Sequence, residues 1–117
     1  DPCRLDTDML EMLSASVDGD ILSVEVRYSG GCIDHLFAMS ARPWFRESLP
    51  VRMELYLHHD DGDDPCDAVI TEELSFNLVR IGELYDALYG DGEGVMLDIA
   101  ICDEGCRAEE ISVLYRP

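Results

Sequence analysis

Lysine is absent from this chain: all eight basic residues are arginine, set against 26 Asp and Glu, for a formal net charge of −18. A field of that sign repels phosphate backbones and anionic lipid headgroups, so nucleic acid and acidic membrane surfaces are poor partners. Cations and basic protein surfaces are the partners it favours. No apolar run approaches the roughly 18 residues that a membrane-spanning helix needs, so no such segment is expected. A signal-peptide pattern is missing as well, and the opening Asp1-Pro2-Cys3, without a methionine, reads as the start of a processed or trimmed chain. The sequence also lacks a glycine-rich phosphate loop, a Gly-x-Ser-x-Gly elbow and a His-Glu-x-x-His helix. Cys32 and His35 could be drawn as a nucleophile pair, but their surroundings are acidic and offer no evident oxyanion donor. The expectation is a protein that is not an enzyme.

Cysteine, by contrast, is abundant. Cys3, Cys32, Cys66, Cys102 and Cys106 are five in 117 residues. That density fits an oxidising compartment or a metal site better than reduced cytosol, and predicts a secreted, periplasmic or cell-surface location. An odd count leaves one over, and Cys3, nearest the terminus, is the natural candidate. The length is one domain's worth, spanning 1–117, and the 47% apolar content is that of an ordinary globular chain.

Alternation with period 2 dominates the pattern. In residues 21–28, Leu22, Val24, Val26 and Tyr28 share one face, while Ser23, Glu25 and Arg27 take the other. The turn signal Val17-Asp18-Gly19-Asp20 precedes it, so residues 9–17 are read as the partner strand of a hairpin, although Met9, Leu10, Met12 and Leu13 also have helical spacing. Residues 33–41 place His35, Phe37, Met39 and Ala41 on one face. Pro43 and Pro50 bracket an irregular connection in which Trp44 and Phe45 are expected to tuck onto the core. In 51–59, Val51, Met53, Leu55, Leu57 and His59 face one way and Arg52, Glu54, Tyr56 and His58 the other. Strands over 66–76, 95–101 and 111–115 follow the same logic. One helix is expected at about 78–89, with Asn77 as N-cap, an apolar stripe of Leu78, Ile81, Leu84, Tyr85 and Leu88, and Gly90 past its end. Six to seven strands at regular spacing with one helix predict a mostly β domain, an antiparallel β-sandwich or a partly open barrel.

Strand phase then draws four side chains together. His59 ends one strand and Cys66 begins the next, across a short acidic turn. If strands 33–41 and 51–59 pair antiparallel, His35 and Cys32 arrive at the same rim. Two thiolates and two imidazoles suit tetrahedral Zn²⁺, and Cu(I) accepts thiolates too, so Cys32, His35, His59 and Cys66 are one candidate metal site. The other reading is a Cys32–Cys66 disulfide closing a loop of about 35 residues, worth about 3–4 kcal/mol in the chain-entropy model, with the histidines partly buried beside it. The oxidising reading of the cysteine count favours the bridge. Cys102 and Cys106 sit in a Cys-x₃-Cys loop that favours a second structural bridge, or a bond from one of them to Cys3, over redox chemistry; Asp103 and Glu104 would hold a thiolate there at a disadvantage. The acidic turn at 60–65 fits no EF-hand frame: starting at Asp61, Pro65 and Cys66 fall where a ligand and a glycine belong.

The stretches YSGGCIDHLF and LYLHHDDGDDPCDAVITEELSFNL, with the helix ELYDALYG, resemble a group of small exported bacterial proteins, lipoprotein-like and of unassigned role. The likeness covers residues 18–100 and implies export and a β-rich fold. Its matching positions are Cys32, His35, His59 and Cys66, which implies that they act together without choosing between bridge and metal. The sequence therefore predicts an exported, disulfide-stabilised acidic domain that binds a protein partner or a cation, with no cofactor. The alternative is a Zn- or Cu-binding protein built on the same four residues.

Overall fold

The computed structural model describes residues 10–60, 62–90, 92–102, 106–107 and 111–117. Seven strands and one helix follow in the order β1 (Glu11–Asp18), β2 (Ile21–Gly30), β3 (Leu36–Ala41), β4 (Val51–Asp60), β5 (Ala68–Asn77), α1 (Val79–Tyr89), β6 (Val95–Cys102) and β7 (Ile111–Tyr115). They form two sheets, ordered β1-β2-β5 and β3-β4-β6-β7, in a sandwich-like arrangement that does not close into a barrel. The first segment is a strand and not a helix. Its hairpin with β2 turns through Gly19 at φ 61°, the left-handed conformation that glycine adopts without steric cost.

Alternation positions the core as the sequence implies. Leu22, Val24 and Val26 of β2 face Met53, Leu55 and Leu57 of β4, and all are at most 1% exposed. Burying side chains of this size contributes roughly 1.5–3 kcal/mol each. Central strand β6 is buried on both faces, so Asp98 and Ala100 are as covered as Leu97 and Ile99. The pairing is not antiparallel throughout. β4 and β6 run parallel, with Val51 opposite Val95 and His58 opposite Cys102. The chain leaves β4, crosses to β5 in the other sheet, passes through α1 and re-enters beside β4, the long connection that a parallel pair requires.

Two expectations about packing are corrected. α1 buries Gly82 and Tyr85 behind Leu78, whereas Leu84 and Leu88 are 38% and 62% exposed. The face turned to the sandwich runs through Leu78, Ile81, Gly82 and Tyr85; Leu84 and Leu88 lie to one side of it, so that edge of the expected stripe faces outward. Its entry is capped from one residue earlier than the formal cap, the Asn77 side-chain oxygen accepting from the Val79 N–H at 2.8 Å. Phe45 does pack inward, against Tyr85 and Tyr89. Trp44 does not; it is 53% exposed, with the Arg42 guanidinium 5.5 Å from its ring centroid.

Gly82 has a packing reason inside the helix. A Cβ there would lie 2.6 Å from the Tyr115 hydroxyl and 3.2 Å from Pro117 Cβ. Tyr115 cannot yield, because it is fully buried and its hydroxyl donates to Asp20 at 2.6 Å. Gly82→Ala would gain about 1 kcal/mol of helix propensity and lose about 1–3 kcal/mol to overpacking. The variant is expected to unfold at lower urea concentration than the wild type, the reverse of what propensity alone predicts.

Candidate functional site

Two connections cross between the sheets at the same end of the sandwich. Residues 31–35 carry the chain from β2 to β3, and residues 62–67 lie on the return from β4 to β5. β3 and β4 pair antiparallel with Phe37 opposite His59, so the crossovers lie side by side. A disulfide joins them, Cys32 to Cys66, with Cα atoms 5.8 Å apart. Cys102 and Cys106 form a second disulfide, bridging the end of β6. Cys3 lies outside the described residues.

The centre of the rim is a residue that sequence reading passed over as part of an acidic turn. Oδ2 of Asp64 accepts from the backbone N–H groups of Gly31, Cys32 and Ile33 at 3.1, 3.3 and 3.1 Å. The same oxygen accepts from His35 Nε2 at 3.0 Å, and Oδ1 accepts from the Cys66 N–H at 3.0 Å. Each part has a local cause. Gly31 at φ 114° lets three successive N–H groups turn toward one anion, a backbone nest. Asp64-Pro65-Cys66 is an aspartate turn in which the side chain bonds the backbone two residues on. Gly30 makes room: a Cβ there would fall 2.7 Å from His35 Nε2 and 2.9 Å from Asp64 Oδ2. The Gly-Gly pair thus has two separate reasons, close approach at the first position and backbone conformation at the second.

His35 and His59 form a pair beyond the carboxylate, with Nδ1 of the first 2.7 Å from Nε2 of the second. A carboxylate can only accept, so His35 donates from Nε2 to Asp64. Its Nδ1 is then the acceptor for a proton on His59 Nε2, and every contact is satisfied with both rings neutral. The rings continue an aromatic pile: Phe37 stacks on His59 with centroids 4.8 Å apart, and Tyr28 lies 4.4 Å from His35. The Tyr28 hydroxyl donates to Glu72 at 2.6 Å, and burial together with that carboxylate pushes the phenol well above its ordinary range.

All four side chains expected at this rim are there, but they sort into two sets. The Sγ atoms of Cys32 and Cys66 and a carboxylate oxygen of Asp64 lie within 4.8 Å of one another, and the imidazoles lie outside that group. Beside the disulfide opens a groove of about 380 Å³, lined by Tyr28, His35, Ile33 and Ile70, with Asp34 and Glu72 also on its walls.

Burial of Asp64 by itself raises its pKa; the bonds from Cys66, His35, Ile33 and Cys32 outweigh that and bring it down to about 2. The folded carboxyl therefore holds its proton less tightly than the unfolded one. Its stabilisation is complete above the ordinary value of 3.8 and is lost as pH falls through about 2. Asp64→Asn is expected to lower the melting temperature at neutral pH, with the gap to the wild type narrowing as pH falls from about 4 toward about 2. The Cys32→Ser/Cys66→Ser double variant is expected to lose about 3–4 kcal/mol in urea unfolding, the cost of reopening the crossover loop. The chain matches no protein-family model, no curated protein and no solved structure, and the functional reading rests on this geometry.

Proposed function

We propose that the protein is an exported, disulfide-stabilised acidic domain that acts by binding a basic protein partner and catalyses no reaction. The observation that carries the reading is the groove beside the Cys32–Cys66 bridge. Apolar Ile33 and Ile70 share its wall with Asp34 and Glu72, so it suits a partner side chain that is both greasy and cationic, arginine above all. Ile33, Leu36 and Val69, which are 44%, 67% and 72% exposed, surround this end of the molecule with further apolar surface. The disulfide and the Asp64 bonds hold the groove's backbone in place before a partner arrives, which lowers the entropic cost of association. Two disulfides support export, since such bonds persist in oxidising compartments.

A photoreactive phenylalanine at position 33 tests the binding. It is expected to give one major adduct with a basic protein in the source cells, lost with Asp34→Ala and at about 1 M salt, where charges are screened beyond about 3 Å. Adducts indifferent to both changes would refute partner binding at this groove. Intact mass after alkylation without reductant tests the export half. One label at most is expected, and five labels on protein recovered from its native compartment would remove the oxidising argument.

A second reading has its own observation. Reduction would free the Cys32 and Cys66 thiols next to Asp64, and with loss of their protons to the metal they make a three-donor set for Zn²⁺ or Cu(I), with His35 bonded to the same carboxylate. Reduced protein titrated with Zn²⁺ is expected under this reading to hold one ion per chain by elemental analysis, abolished by Asp64→Ala. A stoichiometry near zero sinks it.

A further inference from the structure

The outer face of the larger sheet carries a pocket that the rim does not use. It measures about 360 Å³ and is lined by Arg46, Glu54, Tyr56, Asp98 and Arg107, with Ala100 and the Cys102–Cys106 disulfide supplying its apolar surface. Asp98 is the informative member. It is 1% exposed, and only one of its oxygens is used: Oδ1 accepts from Arg52 at 2.8 Å and from Ser112 at 2.6 Å. Oδ2 is buried and has no hydrogen-bond partner among the described residues. A buried carboxylate oxygen left unmatched costs free energy comparable to a lost hydrogen bond, so a donor from outside the chain is favoured there. Strand pairing explains its setting, since Asp98 lies opposite Glu54 in the parallel β4/β6 ladder and opposite Ser112 on the other side.

Charge narrows the choice of donor. Two arginines and two carboxylates line the pocket, a balance of zero in a chain that carries −18. Arg42 and Arg52 stand at its edge, paired to Glu54 and Asp98, so half of the chain's eight arginines gather at this one face. Arg46 makes no side-chain hydrogen bond or ion pair among the described residues, and its guanidinium is open to an anion. Arg107 is anchored by donating from Nη2 to the Leu10 carbonyl at 2.7 Å. A simple cation would meet the arginines; a simple anion would leave Asp98 Oδ2 still without a donor. A ligand with a cationic donor at one end and an anionic acceptor at the other meets neither penalty.

We propose that this pocket binds a free α-amino acid as its zwitterion, the ammonium donating to Asp98 Oδ2 and the carboxylate facing the Arg46 guanidinium. Ala100 and the disulfide then take the side chain, which favours alanine- to leucine-sized residues over charged ones. The site is separate from the groove at the Cys32–Cys66 rim and stands or falls independently of it.

Nuclear magnetic resonance titration of the full chain with millimolar glycine, alanine and leucine provides the test. Leucine is expected to shift the amide resonances of Tyr56, Asp98 and Ala100. N-acetyl-leucine, which lacks the ammonium, and leucinamide, which lacks the carboxylate, are each expected to bind at least about tenfold more weakly. Arg46→Ala, on an exposed side chain, is expected to weaken leucine binding about tenfold without changing the melting temperature, and the isosteric Asp98→Asn to do so whatever its effect on stability. Unchanged spectra with all three amino acids would overturn the proposal. So would N-acetyl-leucine binding as well as leucine, or an Arg46→Ala variant that binds like the wild type.

Discussion

Because the N–H groups of residues 31, 32, 33 and 66 and the His35 ring all converge on Asp64, the two inter-sheet crossovers at one end of the sandwich behave as a single body. The disulfide alone would tie them at one point and leave rotation about it. Five hydrogen bonds to one carboxylate supply direction as well as distance, and they satisfy backbone donors that a loop would otherwise have to expose to water. The His35–His59 pair depends on the same anchor, since Asp64 sets which His35 nitrogen carries the proton. The groove wall depends on it in turn, because residues 31–35 form one side of that groove.

Alternation carried most of the fold. Strands β2, β4 and β6, the hairpin at Gly19 and the meeting of β3 with β4 all follow from which residues share a phase, because one-sided burial makes a slipped register expensive. The same logic brought Cys32, His35, His59 and Cys66 to one rim. What period cannot encode is the role of a residue between strands. Asp64 sits in an acidic turn that looks like many others, and its importance comes from backbone groups more than 30 positions away. The one local sign was Asp-Pro before a cysteine, a turn whose side chain is committed to its own backbone. The two adjacent glycines were the matching sign on the other loop.

The parallel β4/β6 pair was out of reach for a related reason. Alternation says which face a strand buries and is silent on which neighbour it chooses, and β5 and α1 intervene between these two. The apolar run of residues 95–101, broken only by Asp98, was the available clue, since strands covered on both faces sit centrally and often pair in parallel. The helix face failed differently. Leu84 and Leu88 have the right spacing, but the helix turns the face of Leu78, Gly82 and Tyr85 to the sandwich and leaves these two beside it. Buried Asp98 was likewise hidden, because an acid in an apolar run gives no hint whether its second oxygen finds a donor.

β5 lies at the edge of its sheet, ten residues long and paired on one side by β2. An open border of that length is a template on which a second copy could lay its own strand and begin a stack. Glu72 and Glu73 sit in the middle of that border. Antiparallel docking of two such borders would set these carboxylates against their counterparts, and like charges directly opposite repel. The heavy acidity of the chain therefore also acts as a barrier to self-assembly along this border.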